Sequence, residues 1–485
     1  MLFDAARRGQ ATTVRRTRIA TLWRLQGRAL RRLSWGVADQ AVSSLTNFAV
    51  SIFVVHTLGA VQLGTFSLAY VTYGLVLNAS RGLATDPLMV RFSGTDLPTW
   101  RGAVANCTGT AATVGLVAGT CVLAAASFLN GSTRGAFLAL GLTLPGLMLQ
   151  DSWRFSFFAL GRGSQAFLND MIWAIALLPA LALLRITHHG DVFWFVFAWG
   201  ISAAVGAAAG PWQARVTPRL SGAWGWISQH RDLGWRYLAE GTSSSGSAQL
   251  RSYGIGLILG LATVGYVQAV NTLIGPITIL FFAMSLVMIP EAARVLRRSP
   301  QRLPLLCVLI SGGLAAAGLV WGVVLLIALP RGFGQWLLGP IWRPAYPLVL
   351  PQVIYITGLG ASSGAGAGLH ALGAARRSLR GMLLGSAAYL VLPLAGAVWG
   401  GAVGTMYGLA AAAWLAALIG WWQLRAALRE SGQIPAGSRL SPNRHVGRHH
   451  SSPVRRSDRQ ERTGPPEPSP ARPLGSGHAD EVERT

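Results

Sequence analysis

The sequence predicts an all-α polytopic membrane protein with twelve transmembrane helices in two six-helix halves. Three observations carry this prediction. The 485 residues are 52% hydrophobic and only 12% charged, whereas soluble domains carry about a quarter charged residues. Runs such as 103–129 and 402–422 contain no charge, and about 20 apolar residues suffice to cross the hydrocarbon core. Arginines, finally, punctuate the gaps between the apolar runs.

The elements follow in order along the chain. Residues 1–32 form a basic cytoplasmic leader, 33–213 the first half, 214–235 a cytoplasmic linker, 236–424 the second half and 425–485 a disordered basic cytoplasmic tail, which is rich in Arg, Ser, Pro and Gly. All spans are predicted as helices, because lipid offers backbone groups no other hydrogen-bond partner. The spans cover 33–55, 63–84, 103–129, 135–158, 166–186, 191–213, 236–259, 264–289, 304–329, 347–370, 379–400 and 403–424.

The distribution of arginine sets the orientation and excludes nucleic acid as a partner. With the N-terminus inside, the inner loops hold 16 arginines and the outer loops hold 4. This bias follows the positive-inside rule and predicts that both termini are cytoplasmic. The net charge of +24 is therefore a topology signal and does not indicate a groove for a phosphate backbone.

Several motifs of enzymes and metal proteins are absent from the sequence. Every one of the 41 basic residues is arginine, so no lysine is present to complete a phosphate-binding GxxxxGK loop. HExxH and CxxC do not occur, and the three cysteines lie inside apolar runs without metal-ligand spacing. We expect no enzymatic activity, no cofactor, no metal site and no cleavable signal peptide.

An internal repeat relates the two halves. Residues 35–64 align with 235–265, and from the first acid onward a single offset of 201 residues applies. Later segments align with small shifts, and 159–162 resembles 371–374. Two halves of six spans share one orientation, so the repeat predicts a pseudo-twofold axis along the membrane normal with a substrate path between the halves. The aligned pairs include Asp39 with Glu240, Gly59 with Gly260, Gly64 with Gly265 and Gly74 with Gly275.

Polar stripes run along the first span of each half. Ionisable groups at membrane depth usually face the bundle interior or a wet cavity, so spans 1 and 7 are expected to line a common cavity. The alternative is that the acids lie close enough to the cytoplasmic boundary for the interface to solvate them, and that Arg251 extends outward to the headgroups. The two stripes are Asp39, Ser43, Thr46 and Val50 in span 1, with Asn47 close by, and Glu240, Ser244, Ser247 and Arg251 in span 7.

Four further charged residues lie near span ends. Arg81 is late in span 2, and for this residue and Arg154 both a cavity position and a boundary position stay open. Asp151 and Arg154 are one turn apart in span 4, a spacing that allows them to pair with each other. Asp170 opens span 5 and is expected to cap the helix or to lie at the interface.

Four stretches resemble a known family. The segments 36-GVADQAVSSLTNF-48 and 57-TLGAVQLGTFSLAY-70 resemble the first hairpin of bacterial polysaccharide (Wzx-like, O-antigen or teichoic acid) flippases. These flippases belong to the MOP superfamily, with MATE exporters and lipid II flippases. The late Pro-Glu-x-x-Arg of 275–294 is similar to span 8 of that group, and 158–170 is similar to its inner turn between spans 4 and 5.

The resemblance implies a transporter of the bacterial plasma membrane. It would move a polyprenyl-pyrophosphate-linked oligosaccharide from the inner to the outer leaflet by alternating access, among membrane lipids and with a polysaccharide polymerase or glycosyltransferase as partners. Arginines would bind the pyrophosphate, and the candidates are Arg251, Arg81 and Arg154. Hydroxyls and amides would bind the glycan, and the candidates are Ser244, Ser247, Ser43 and Asn47. Acids would balance charge or take up a proton, and the candidates are Asp39, Glu240 and Asp151.

Two alternatives stay open. A MATE-like cation-coupled multidrug exporter also fits twelve spans in two halves, although intramembrane arginine disfavours a cationic substrate. A non-transporting membrane scaffold in cell-envelope synthesis is the other alternative, and it would tolerate the loss of Arg251.

Overall fold

The computed structural model describes residues 2–187, 190–430 and 432, apart from some side chains. These side chains belong to residues 2–34, 36, 37, 40, 41, 236, 239–245, 282 and 286. Every regular element in the described part of the chain is helical. Nine of the helices found there are long and apolar enough to cross a membrane. The predicted all-helical, multi-pass membrane architecture is therefore confirmed, whereas the count of twelve crossings and the twofold axis stay predictions.

The first half begins with one long, broken helix. Helix α1 (Leu2–Ser80) is interrupted at Gly59, where φ is 78° and ψ is −178°. The backbone of the basic leader belongs to the start of this helix. A π-helical turn, Arg81–Thr85, follows α1 and leads into α2 (Asp86–Arg91). The remaining helices of this half are α3 (Leu97–Ala126), α4 (Gly131–Ala159), α5 (Gly163–Ile186) and α6 (Val192–Ala214).

The second half begins inside the predicted linker. The linker contains α7 (Ala223–Gln229) and the first turn of α8 (Arg231–Leu259). The last helix continues to Glu430, and the predicted disordered tail beyond residue 432 lies outside the described residues. The other helices are α9 (Leu261–Leu273), α10 (Gly275–Arg298), α11 (Leu303–Ala328), α12 (Phe333–Leu338), α13 (Trp342–Ala345), α14 (Val349–Ala371) and α15 (Ala375–Glu430), which is broken at Gly400 and Gly401.

The helix breaks recur at repeat-related positions. Gly59 and Gly260 are 201 residues apart, and Gly260 has φ 83° and ψ 168°, close to the angles of Gly59. Only glycine adopts this backbone region readily. The turns after α4 and α14 also match, since Gly161 has φ 74° and Gly373 has φ 64°. The repeat read from the sequence therefore has a counterpart in backbone conformation.

The two breaks lie beside a reciprocal contact between the halves. A Cβ added to Gly64 would lie 1.9 Å from the carbonyl oxygen of Leu261, and one added to Gly265 would lie 2.0 Å from that of Ala60. Ala60 and Leu261 are themselves 201 residues apart, so the contact is the same in both directions. We name these four residues the glycine seam. Glycine allows two helix backbones to approach each other closely.

Large aromatic side chains hold the helices of the first half around a buried polar region. Trp153, Trp199 and Phe195 are fully buried, and the indole of Trp153 lies against Gly210, where a Cβ would be 2.3 Å from its ring. The indole of Trp100 donates a hydrogen bond to the carbonyl oxygen of Ser156 over 3.1 Å. This packing joins α3, α4 and α6 and positions the charged residues of α4.

Candidate functional site

A cavity of about 340 Å³ opens between the halves. It is lined by both segments of α1, by α9 and by α10, and none of the described residues that line it is charged. Asn47 lines it, and Ser43 does not, although its neighbour Ser44 does. Aromatic rings of Phe48, Phe66 and Tyr70 complete the wall. The further polar lining residues are Ser51, Ser67, Gln268, Asn271, Thr272 and Thr278.

Hydroxyls on the cavity wall are anchored to their own helices. Ser51 donates to the carbonyl oxygen of Asn47 over 2.9 Å, and Ser67 donates to that of Leu63 over 2.7 Å. Their lone pairs remain as acceptors toward the cavity. Asn271 accepts a hydrogen bond of 3.0 Å from Gln352, which fixes its orientation. The wall thus offers neutral hydrogen-bonding groups between aromatic rings.

Five charged residues of the first half form a second polar region, which we name the carboxylate–arginine cluster. Arg154 of α4 donates from Nε to Oδ2 of Asp39 over 2.6 Å and forms an ion pair with the same oxygen through Nη2. Its Nε lies 3.5 Å from Oδ2 of Asp170. The side chains of Asp39 and Asp170 are 0% and 1% exposed, and that of Arg154 is 13% exposed. Arg81 and Asp151 complete the cluster.

Arg81 and Asp151 form its second ion pair. Arg81 donates from Nε and Nη2 to the two carboxylate oxygens of Asp151 over 3.0 and 2.7 Å. This bidentate geometry is the strongest form of such a pair. The guanidinium also lies 4.8 Å from the ring centre of Phe155. Arg81 is the first residue of the π-helical turn, and π-helical turns are frequent at functional sites.

The position of Asp170 in the structure differs from the sequence prediction. It was expected to cap α5 or to lie at the interface, but α5 begins at Gly163 and Asp170 is buried within it. Its Oδ1 accepts a 2.8 Å hydrogen bond from Gln150. Asn169 extends this network by donating to Gln213 over 2.9 Å. Gln150, Asn169 and Gln213 were not predicted as site residues. The adjacent pairs Gln150–Asp151 and Asn169–Asp170 on apolar helices could have indicated a buried polar network.

The charges of the cluster do not balance. Three carboxylates face two guanidinium groups, and Asp39 and Asp170 share Arg154. One negative charge is left over among these five residues. Arg81 and Arg154 therefore bind acids of their own chain, and their predicted contact with substrate stays a prediction.

Arg251 occupies a different environment in the second half. It lies half-buried on α8, and its Nη1 donates to the carbonyl oxygen of Tyr389 over 3.1 Å. Tyr355 lies beside it, with its ring centre 6.3 Å from that of Tyr389. Among the described side chains no carboxylate lies within 4 Å of this guanidinium. An arginine has five N–H donors, and the described part of the chain supplies an acceptor for one of those of Arg251.

The rest of the predicted stripe on α8 is only partly described. Ser247 is half-buried one turn before Arg251, and the side chains of Glu240 and Ser244 lie outside the described residues. Glu240 is eleven residues from Arg251 in the same helix, about 16 Å along the axis at 1.5 Å per residue. Arg251 itself is not among the residues that line the 340 Å³ cavity.

Helix α8 is joined to the second segment of α1 close to Arg251. The hydroxyls of Tyr253 and Thr72 form a hydrogen bond between the two helices. One turn away, Gln249 packs against Gly74, where a Cβ would lie 2.8 Å from its amide nitrogen. These contacts hold α8 against α1, while Arg251, two residues from both Gln249 and Tyr253, contacts Tyr389 within the second half.

Comparisons with known proteins place the fold. No protein-family model matches the chain, and no curated protein matches it. An inward-facing multidrug-resistance MATE transporter of the MOP superfamily has a TM-score of 0.63 at 15% identity, covering 81% of this chain and 96% of that one. An outward-facing MATE transporter has 0.55 at 15% identity, covering 84% and 96%.

A third neighbour is a MOP superfamily transporter from Pyrococcus furiosus, with a TM-score of 0.55 at 13% identity, covering 84% of this chain and 96% of that one. Its description states that a binding pocket of reverse polarity suggests a different function. These likenesses show that the chain has the fold of MATE transporters. The likenesses support the fold alone, and membership of the MOP superfamily and of its Wzx-like subfamily stays a prediction.

Proposed function

We propose that the protein is a secondary transporter that moves a polyprenyl-pyrophosphate-linked oligosaccharide from the inner to the outer leaflet of the bacterial plasma membrane. The transported molecule has an anionic group, a neutral glycan and a lipid tail. Each part needs its own environment, and the described residues offer candidates for the first two. The fold of MATE transporters supports the transport role, because it is a fold of alternating-access proteins.

The observation that carries the proposal is Arg251. A guanidinium at membrane depth is costly unless it has a partner, and its hydrogen bond of 3.1 Å to the carbonyl oxygen of Tyr389 leaves its positive charge unbalanced by any described carboxylate. A pyrophosphate supplies the missing negative charge and accepts several N–H donors at once. Arg251 therefore binds the pyrophosphate, and Ser247, one turn away, lies within the same reach.

The neutral cavity suits the glycan. Amides and hydroxyls such as those of Asn47, Gln268 and Thr278 bond to sugar hydroxyls without favouring a charged ligand. Tyr70 and Phe66 give flat apolar surfaces for the carbon faces of sugar rings. A cavity of about 340 Å³ is at the small end of ligand pockets, so it holds a part of the glycan and opens further during the cycle.

Alternating access follows from the repeat. The reciprocal contacts of the glycine seam, Gly64 with Leu261 and Gly265 with Ala60, are those of two equivalent surfaces related by a twofold axis. Twelve crossings in two halves of six, with the axis along the membrane normal, account for this symmetry. The TM-score is 0.63 to an inward-facing transporter and 0.55 to an outward-facing one. We infer that the seam closes the outer end in this state.

The excess negative charge of the carboxylate–arginine cluster gives the cycle a source of coupling. Asp39 and Asp170 share Arg154, and a proton is the smallest cation that balances the remaining charge. Uptake of a proton loosens the ion pairs that join α1, α4 and α5, and its release restores them. Asp39, Asp151 and, by its position in the repeat, Glu240 thus serve charge balance.

The test is a flipping assay in proteoliposomes. The probe is a polyprenyl pyrophosphate carrying a fluorescent oligosaccharide, and its transfer is measured by the access of an impermeant quencher. Arg251→Gln is expected to slow transfer about 10- to 100-fold, since a hydrogen bond to a charged group contributes about 1.5–3 kcal/mol. Arg297→Gln, an exposed arginine on α10, is the matched control. An unchanged rate in Arg251→Gln would reject the assignment.

The same cluster supports a second candidate, a cation-coupled multidrug exporter. Its leftover negative charge can hold a cationic substrate or a coupling ion as readily as a proton. Efflux of a cationic dye from the same proteoliposomes separates the two functions. Dye efflux that Asp39→Asn abolishes, together with an immobile lipid-linked probe, would favour the exporter. A membrane scaffold would show neither activity.

A further inference from the structure

A basic cleft lies away from both polar regions, at the junction of α10 and α11. Its volume is about 320 Å³. One wall is the last turns of α10, the floor is the 3₁₀ turn Pro300–Arg302, and the other wall is the start of α11. Positive-inside bias predicts that this junction lies on the cytoplasmic side, because four arginines fall between the two spans.

The cleft carries an excess of positive charge. Arg294, Arg298 and Arg302 line it together with one acid, Glu291. Glu291 forms an ion pair with Arg294, and no described carboxylate forms an ion pair with Arg298 or Arg302. Three arginines against one glutamate leave two positive charges. This charge fits one phosphate group.

An apolar stripe continues from the cleft into α11. Leu305 and Leu309 line the same cleft and are 59% and 62% exposed. They are one turn apart and therefore lie on one face of the helix. The segment Pro300–Arg331, which contains this helix, is strongly apolar, with a mean hydropathy of 2.3 over its most apolar part. A soluble phosphate makes no contact with such a stripe, whereas an acyl chain packs against it. The cleft therefore combines a basic surface for a phosphate group with an apolar surface for an acyl chain, the two parts that a phospholipid contains.

We propose that this cleft binds an anionic glycerophospholipid. The phosphate lies between Arg298 and Arg302, and an acyl chain runs along Leu305 and Leu309. The lipid links α10 to α11 across their short turn, so it stabilises this corner of the second half. The site is independent of substrate transport, because it shares no residue with the neutral cavity, with Arg251 or with the carboxylate–arginine cluster.

Lipid retention by the purified full-length protein tests the proposal. Native mass spectrometry counts the lipids that stay bound after exchange into micelles with equal amounts of phosphatidylglycerol and phosphatidylcholine. The wild-type protein is expected to retain phosphatidylglycerol preferentially. Arg298→Gln with Arg302→Gln is expected to lower this retention about 30-fold, which corresponds to about 2 kcal/mol for the two basic residues. Equal retention in this variant would overturn the proposal.

Matched controls separate the site from general surface charge. Arg297→Gln with Arg376→Gln removes two exposed arginines that do not line the cleft, and its retention is expected to equal that of the wild type. A comparable loss in this control would mean that bulk charge, and not the cleft, binds the lipid, and would overturn the proposal. If the double cleft variant does not fold, Arg298→Gln against Arg297→Gln makes the same comparison on one helix.

A separate variant tests the apolar stripe and distinguishes a lipid from a free phosphate. Leu305→Ser with Leu309→Ser is expected to lower phosphatidylglycerol retention severalfold. Soluble glycerol phosphate is expected not to displace the lipid. Displacement by glycerol phosphate, or full retention in the serine variant, would mean that the cleft binds a soluble anion and would overturn the assignment to a lipid.

Discussion

Arg154 in the first half and Arg251 in the second half are both intramembrane arginines, but their surroundings differ. Arg154 binds Asp39 over 2.6 Å and lies 3.5 Å from Asp170, whereas Arg251 binds the carbonyl oxygen of Tyr389. The first guanidinium is held by carboxylates of its own chain and stabilises helix packing. For the second, the described residues supply this one hydrogen bond and no carboxylate. The residue type is the same, and the two guanidinium groups differ in their partners.

The internal repeat sharpens this contrast. With the offset of 212 residues that relates 159–162 to 371–374, Arg154 corresponds to Gly366 and Asp151 to Ser363. With the offset of 201 residues, Arg251 corresponds to Val50, a buried residue that lines the neutral cavity. Neither half thus keeps the charges of the other at these positions. The proposed function assigns the ligand-binding charge to the second half, whereas the five charged residues of the cluster in the first half pair with one another.

The largest expected effect is on the stability of the first half. Arg154→Ala leaves Asp39 and Asp170 buried without their shared cation, and breaking a buried ion pair costs about 3–5 kcal/mol. We expect a correspondingly lower unfolding temperature in detergent, measured by the dispersity of the heated protein. Arg162→Ala is the control, because Arg162 is exposed in the turn that follows α4. A stability equal to that of the wild type would show that the cluster is not structural.

A second variant tests the contact between the halves. Gly64→Ala adds a methyl group 1.9 Å from the carbonyl oxygen of Leu261, and overpacking of this kind costs about 1–3 kcal/mol. We expect the seam to open, which spin labels on α1 and α9 would detect as a longer distance. Gly312→Ala, where a Cβ meets nothing within 4 Å, is expected to stabilise α11 by about 0.5–1 kcal/mol. Equal effects of both variants would contradict the close contact.

Arg251→Ala is expected to affect stability less than Arg154→Ala. It removes one hydrogen bond from a charged guanidinium to a main-chain carbonyl oxygen, worth about 1.5–3 kcal/mol, and leaves no described carboxylate unpaired. The same thermal measurement checks this prediction, while lipid-probe flipping is lost. A loss of stability as large as that of Arg154→Ala would erase the difference between the two halves on which the proposed function depends.

The smallest expected effect is at the hydrogen bond that joins α8 to α1. Tyr253→Phe removes its hydroxyl from Thr72 and is expected to cost about 0.5–1.5 kcal/mol. Because this bond holds α8, the helix that carries Arg251, against α1, we expect flipping to slow by a few-fold with the pyrophosphate site intact. Thr72→Val should reproduce both effects, and different effects of the two variants would contradict a shared bond.

The fold was predictable because the bilayer imposes it. Helix length, backbone hydrogen bonding and arginine bias are local properties that a single sequence reveals, and Gly59 and Gly260 marked the repeat. The site was less predictable. Asp170 reads like a helix cap in the sequence, and its burial depends on how α5 packs against α4. The partners of Arg81 and Arg154 lie on other helices, and lateral packing of helices leaves no periodic signal in the chain.

The glycine seam also limits where the cycle can be controlled. Its contacts join main-chain carbonyl oxygens to the bare Cα atoms of Gly64 and Gly265, and neither group titrates or carries charge. Acidity and ionic strength therefore leave the strength of this closure unchanged. Any dependence of the conformational equilibrium on a proton gradient must originate elsewhere, at the opposite ends of these helices where carboxylates and guanidinium groups meet.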